Sequence, residues 1–328
     1  MIPSKCVGVL KKHKDEVWQV KFSASGAKLA TVGKDNIMYI WSISKVANNL
    51  KKTLKYRVKC THEVRGHTKQ INSLNWSAGV EDKWLVTASQ DMTAKIWDSK
   101  SGKLALEITK HQESVTAAAF LPGNDYRVLT AAVDKLVILW EIRVSSVSMN
   151  DSSSGPITYE AIELARVETR NYLDIAVASN RFVTMGQSHL QVFNLPHSEV
   201  LNVCDLYKEA MEDSELSYEV EMSDTVTSIA LSKDGRQLLA NVSLKEPRLE
   251  LFDLGSANGS PGKRAELVRR YQGGHEQTMF VLRCAFGGAR ESFVLCGSED
   301  ATVALWHKDK GDIIAKIGGV GVPGGSHT

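Results

Sequence analysis

The sequence predicts an all-β chain built from a repeated four-stranded unit, and three observations carry that prediction. An Asp stands six residues before a Trp four times, at Asp35 and Trp41, Asp91 and Trp97, Asp134 and Trp140, and Asp300 and Trp306. Four residues ahead of each Asp comes Thr31, Thr87, Thr130 or Cys296, and 22 to 25 residues ahead of it comes His13, His67, His111 or His275. Between these markers lie short β-rich runs, such as INSLNW, WLVTAS and TAKIW, parted by polar turn-like stretches. The runs read as three strands per unit, with a fourth supplied before the next His.

Taken in order, the units with a full His, Thr (or Cys), Asp and Trp set end at Trp41, Trp97, Trp140 and Trp306. Two more are degenerate: in NRFVTMGQSHLQVFNL, Phe193 takes the Trp place and Gln187 the Asp place, and Phe252 and Glu246 do the same in the next. Apolar alternation survives in both, so packing rather than a polar set should hold them. These residues resemble the WD-repeat family, whose units form the four-stranded blades of a β-propeller. The resemblance implies that Asp sits in the turn between second and third strands and accepts from His, while Thr bridges the ring to the Trp indole, which can only donate. Buried polar chains persist only when every member is satisfied. Four His and four Asp that look catalytic therefore have a structural occupation already.

Six blades are expected over residues 1–317, with a disordered glycine-rich tail at 318–328. CVGVL, Cys6 to Leu10, reads as an N-terminal strand lent to the last blade, which removes a free sheet edge. Gly311 to Ile317 reads as the outer strand of blade six. GGVGVPGGSHT cannot supply three further strands. Either most of one blade is open, or six blades close with the N-terminal strand displaced; the favoured expectation is a seven-bladed parent whose last blade is missing.

The bulk numbers fit a globular chain: 328 residues, 43% hydrophobic, with 40 Lys and Arg against 38 Asp and Glu for a net charge of +2. Nothing in that total calls for nucleic acid or a membrane surface. The five cysteines (Cys6, Cys60, Cys204, Cys284, Cys296) are scattered without a CxxC pair, so neither a disulfide framework nor a zinc site is expected. No signal peptide or membrane-length apolar run is seen, and the cytoplasm or nucleus is the expected setting. Three stretches stand out as loops or linkers: basic Lys45 to Lys59, Ser145 to Pro156, and acidic Glu209 to Asp224.

Beyond generic repeats, three segments resemble the WD-repeat scaffold subunit of the GID/CTLH E3 ubiquitin ligase. They are His13 to Asp35, Leu231 to Val242 and, most specifically, Val268 to Asp300 continuing to Lys308, where Gly287-Gly288 and Glu291-Ser-Phe293 exceed what the repeat demands. That resemblance implies a non-catalytic part of a multisubunit ligase, whose RING-type subunits supply transfer and whose scaffold presents substrates for proteasomal degradation. Ligase subunits and substrates are thus the implied protein partners. The family's LisH and CTLH modules, which mediate self-association, have no counterpart here, and self-association stays open.

WD-repeat propellers meet partners mainly on the rim facing their connecting loops. Five residues after each His stand Trp18, Asn72, Thr116 and Phe280, and just before each Asp stand Lys34, Gln90, Val133 and Glu299. Trp18, among Asp15, Glu16 and Lys34, is the leading partner contact, with packing between blades as the competing role. A WD-repeat adaptor of a signalling or transcription complex, or a truncated nonfunctional product, are the rival readings. An enzyme is disfavoured: no G-x-S-x-G elbow, phosphate loop or metal-spaced His pair occurs, neither His189 nor His197 has an obvious partner, and no cofactor is expected.

Overall fold

In the computed structural model the described residues are 9–48, 53–79, 81–145, 157–170, 173–178, 181–195, 218–243, 246–255 and 265–318. The chain is all-β, laying down six successive sets of four strands, and among the described residues one 3-10 turn, Ala289–Glu291, is the only helix. Blade one holds β1 (Val17–Phe22), β2 (Lys28–Gly33), β3 (Met38–Asn48) and β4 (Thr53–Val64). Blade two holds β5 (Ile71–Trp76), β6 (Trp84–Ser89), β7 (Ala94–Asp98) and β8 (Leu104–Ile108). Blade three holds β9 (Val115–Leu121), β10 (Asn124–Ala132), β11 (Leu136–Ser145) and β12 (Thr158–Glu168). The fourth set is β13 (Asp174–Val177), β14 (Arg181–Met185), β15 (His189–Asn194) and β16 (Tyr218–Glu221). Blade five holds β17 (Val226–Leu231), β18 (Gln237–Val242), β19 (Arg248–Asp253) and β20 (Glu266–Gln272). Blade six holds β21 (Cys284–Gly287), β22 (Phe293–Gly297), β23 (Thr302–His307) and β24 (Ile313–Gly318).

Contacts divide the described chain into two units. One contains β1 to β13; the other contains β14 to β24. Within each unit, sequential strands pair antiparallel as meanders, and the third strand of every set carries the aromatic residue read from the sequence: Trp41, Trp97, Trp140, Phe193, Phe252 or Trp306.

Sequence pattern follows position in the blade. The second strand of blade two, WLVTAS, is buried at all six positions, as a strand covered on both faces should be, whereas its outer strand LALEI is half exposed. Ile71, Leu74 and Trp76 of β5 bury their side chains against Ala30, Val32, Met38 and Ile40 of blade one. Blades two and three share a comparable core, centred on Val86, Ile96, Phe120, Ile138 and Trp140. The degenerate fourth set is held by packing, with Phe182 and Phe193 stacked at 4.8 Å.

Blade one leaves an apolar face bare, and blade six exposes one apolar side chain while Leu305 on the same face stays buried. Val17, Val20 and Phe22 of β1, which match Ile71, Leu74 and Trp76 in register, are 47%, 50% and 64% exposed. In blade six Val303 is 37% exposed, where its counterpart Met38 in blade one is 1% exposed.

Three expectations need correction or fall outside the description. Lys45 to Lys59 is not a solvated loop: β3 and β4 run on as a hairpin through this stretch, with register pairs as far as Asn48 and Thr53, because alternating Val46, Leu54, Tyr56 and Val58 favour a strand. Of the N-terminal strand expected at Cys6 to Leu10, Cys6 to Gly8 lie outside the described residues, and Val9 and Leu10 are exposed and not in a strand. The expected linker from 146 to 156, most of the acidic stretch (209–217) and the tail from 319 onward also lie outside them.

Candidate protein-interaction face

The interval from Asp to Trp is set by a turn. Asn36, Met92, Lys135 and Ala301, each just after the Asp, take left-handed φ of 61°, 69°, 68° and 64°. One carboxylate oxygen of the Asp closes that turn by accepting from the N–H two residues on, at 3.3 Å (Ile37), 3.1 Å (Thr93), 3.1 Å (Leu136) and 3.0 Å (Thr302). In blades one to three the carboxylate also takes the His ring and the N–H of the next residue. His13, His67 and His111 donate through Nδ1 to Asp35, Asp91 and Asp134 at 2.9, 2.8 and 2.9 Å, and Lys14, Thr68 and Gln112 add backbone bonds.

The other side of each ring completes the set. Nε2 accepts from Thr31, Thr87 and Thr130 at 2.8, 2.7 and 2.8 Å, and the same hydroxyls accept the indole N–H of Trp41, Trp97 and Trp140 at 3.1, 2.8 and 2.8 Å. One tautomer, protonated at Nδ1, satisfies every atom. Burial pushes the Asp91 carboxyl up, but hydrogen bonds from Thr93 and His67 outweigh it and draw the group down to about 2. Burial also lowers His67, partly opposed by Asp91, so this ring stays neutral. A neutral, doubly bonded ring with no substrate-facing nitrogen is a strut.

Blade six departs from this plan, which corrects the expected fourth quartet of His275, Cys296, Asp300 and Trp306. His275 Nε2 bonds Asn241 Oδ1 in β18 of blade five at 3.2 Å, while His275 Nδ1 and Trp306 Nε1 are buried without a partner. Two substitutions and an insertion explain it. A thiol at Cys296 is a poor acceptor for the indole; Asn241 occupies the register position held by Val32 in blade one and offers a carbonyl; and two extra residues separate His275 from its strand. Asp300, released from the ring, is held low, to about 2, by Ser298 and Thr302, and lies 3.8 Å from Lys316.

Gly before His has a steric reason where it occurs. A Cβ on Gly66 would come within 2.8 Å of the Trp97 ring, and one on Gly274 within 2.1 Å of Trp306. The signature residues of blade six are similarly placed. Gly288 has φ 79°, and a Cβ there would meet the Phe293 ring at 2.5 Å. Glu291 accepts the backbone N–H of Lys233 at 3.0 Å, and Lys308 Nζ reaches Gln237 Oε1 at 3.0 Å. The segments Leu231 to Val242 and Val268 to Lys308 are therefore fastened to each other.

The rim positions follow from a bulge. The ladder shifts by one residue at Trp18, Asn72 and Thr116, so each stands opposite no partner and is re-aimed, as bulged residues are. Trp18 is half-buried, its indole donating to Glu16 at 3.1 Å, with Lys34 lying 3.5 Å from Glu16 and 3.7 Å from Asp15. Asn72 is drawn inward to Ser114 and the Val115 carbonyl, and Thr116 to the Ala131 carbonyl. Gln90 is exposed and Val133 half-buried. Blade five has the same bulge at Thr227, a position the sequence did not single out because its quartet is lost.

Phe280 is out of step with the other three. Cys284 pairs with Cys296 as Val20 pairs with Thr31, so Leu282, not Phe280, matches Trp18. The two added residues swell the loop into an apolar tip: Met279, Phe280 and Val281 are 84%, 57% and 68% exposed. Glu299 braces this tip, its Oε1 accepting the N–H groups of Thr278, Met279 and Phe280 at 2.7, 2.7 and 2.8 Å. Those bonds hold the Glu299 carboxyl down to about 2. From below, buried Gln277 ties the loop to Thr227, Asn241 and the Phe280 carbonyl. The periodic signal named Phe280 and Glu299; the insertion that makes them a braced pair shows only in the register.

The WD domain, G-beta repeat family profile matches residues 4–42, 58–98 and 102–141. The chain contains WD repeats. Its repeats place it near the WD repeat-containing protein 26 homolog of Arabidopsis thaliana, 25% identical over 97% of the chain and 46% of that relative. It is also similar to GID complex subunit 7 of Schizosaccharomyces pombe, 28% identical over 97% of the chain and 53% of that protein. The WD-repeat chain spans about half the length of the curated relatives it matches. In fold it is similar to the β-propeller domain of Cps50 (Swd1) from Myceliophteria thermophila, with a TM-score of 0.60, 17% identity, and coverage of 92% of this chain and 86% of that one. The fold is thus that of a β-propeller, with six blades. Among the described residues no cluster of His, Cys, Asp and Glu could hold a metal, and no helix is long and apolar enough to cross a membrane.

Proposed function

We propose that this chain is a non-catalytic interaction scaffold that assembles or presents substrates within a GID/CTLH-type E3 ubiquitin ligase, in the cytoplasm or nucleus. The observation that carries it is similarity to GID complex subunit 7 over 97% of the chain. The structure supports the non-catalytic part, since the His and Asp residues of blades one to three are consumed in bonds to one another. The partners are proteins: ligase subunits and the substrates they receive. The rim candidates in this reading are Trp18, Lys34, Asn72, Gln90, Thr116 and Val133, with Phe280 and Glu299 as the braced tip.

The same reading extends to a seven-bladed parent. The bare face of β1 supports it, because Val17, Val20 and Phe22 match the residues that β5 buries against blade one. Affinity capture of the chain from its native cytosol, followed by mass spectrometry, tests the assignment. Recovery of RING and CTLH-type subunits is expected. Recovery of subunits of an unrelated signalling or transcription complex would overturn it.

A further inference from the structure

Blade one carries an extension that blade two lacks; blade three has one too, but there Arg143 stands opposite Glu160. β3 and β4 have 11 and 12 residues, against 5 each for β7 and β8, and their last register pairs, Ser44 with Arg57 through Asn48 with Thr53, lie beyond the point where β2 stops pairing with β3. The excess is a two-stranded ribbon, and β4 is the outermost strand of its sheet. Residues directly opposite one another share a face. Arg57, opposite Ser44, and Lys59, opposite Ser42, therefore stand on one face, while Tyr56, opposite Lys45, and Val58, opposite Ile43, stand on the other. Val58 and Ile43 root that second face on Trp41 and Tyr39, and Tyr56 above them is 46% exposed. Arg57 and Lys59 are exposed, and among the described residues neither has a carboxylate partner. The stretch from Lys45 to Lys59 has six basic residues and no acid.

We propose that the free edge of β4 receives an extended protein segment in which acidic and apolar residues alternate, added as a further strand. Along any strand, same-face side chains recur every ~6.6 to 6.8 Å. An incoming strand therefore sets its acids beside Arg57 and Lys59 while its intervening apolar side chains meet Tyr56 on the opposite face. The same two-faced arrangement disfavours single-stranded nucleic acid, which needs an aromatic platform and several phosphate-binding cations on one side; here Tyr56 shares its face with Lys45 but is turned away from Arg57 and Lys59. Lysines on a free edge also discourage self-pairing between copies, and an acidic strand is the partner that such an edge still admits. The proposal rests on the protein-interaction reading above and adds the class of segment recognised.

The test is fluorescence anisotropy with the intact chain and a labelled peptide carrying four alternating Glu-Val pairs. Binding that weakens as salt is raised is expected. Reversing both charges in the R57E/K59E variant should weaken it about tenfold or more, since two favourable cross-strand pairs become repulsive. The K100E/K103E variant, altered at an exposed turn of blade two, should bind as the parent does. Absence of binding, equal binding of a peptide with the four Glu and four Val in separate blocks, or equal loss in both variants would overturn the proposal. So would tighter R57E/K59E-sensitive binding of a single-stranded RNA of equal charge. No ligase subunit enters this measurement, so its failure is separable from failure of the capture experiment.

Discussion

Replacing Cys296 by Thr should stabilise the chain. Cys296 is fully buried and pairs with Cys284 in the register that Thr31, Thr87 and Thr130 share with their own inner strands. In those three blades the hydroxyl accepts the indole N–H at 3.1, 2.8 and 2.8 Å, whereas Trp306 Nε1 has nothing to donate to. A buried donor left unpaired costs ~1 to 3 kcal/mol, and supplying its acceptor recovers most of that. In blade two the Thr87 hydrogen goes to His67 Nε2; in blade six, where His275 bonds Asn241 instead, the new hydroxyl hydrogen turns to the Ala304 carbonyl across the strand, the place of the Lys95 carbonyl 3.4 Å from Thr87. The expected net gain is about 1 to 2 kcal/mol, which for a chain of this size raises Tm by roughly 1.5 to 3 °C. Calorimetry of Cys296→Thr beside Cys296→Val isolates the hydroxyl, because Val has the same shape without it. If Val stabilises as much as Thr, or Thr leaves Tm unchanged, the missing acceptor is not what weakens blade six.

Further outcomes follow from the same geometry. Burial first and Lys316 second hold His275 down to about 4, so above the ordinary value of 6.5 the folded and unfolded chains bind equal protons there. As pH falls from 6.5 to about 4 only the unfolded chain takes up the proton, and stability should drop by up to about 3 kcal/mol, a slope that His275→Gln flattens in urea titrations at successive pH. Gly66→Ala should lower the urea midpoint by an amount equivalent to ~1 to 3 kcal/mol, since its methyl must displace the Trp97 ring; an unchanged midpoint would refute the contact. Trp97→Ala should cost ~3 to 5 kcal/mol by urea unfolding, the ring being 2% exposed. In Glu299→Ala the amides of Thr278, Met279 and Phe280 should exchange faster by mass spectrometry while those of β23 keep their protection.

What the sequence makes legible is whatever a fixed covalent interval dictates. Asp35 and Trp41 keep their distance because one turn and one strand lie between them, and His13 meets Asp35 directly and Trp41 through the Thr31 hydroxyl. Two kinds of information escape that method. The first is a change in register: counting forward from His275 lands on Phe280, although two added residues have moved the matching position to Leu282. The second is a partner supplied by another blade. Asn241 looks like an ordinary strand residue, and only the packing of β18 on β21 shows that it intercepts His275. Charge without acids over Lys45 to Lys59 reads as a loop on composition, whereas the alternation of Val46, Leu54, Tyr56 and Val58 carries the strand signal.

The bulges at Trp18, Asn72, Thr116 and Thr227 separate two demands that usually compete for the same residue. Every ladder position answers to a register partner on the adjoining strand, but the bulged residue is excused from that pairing and bonds through its side chain instead. An indole, an amide and two hydroxyls already occupy that place in four blades of one chain without altering the register around them. On the proposed scaffold reading, recognition can therefore be rewritten one blade at a time, by single substitutions that leave the strand register in place.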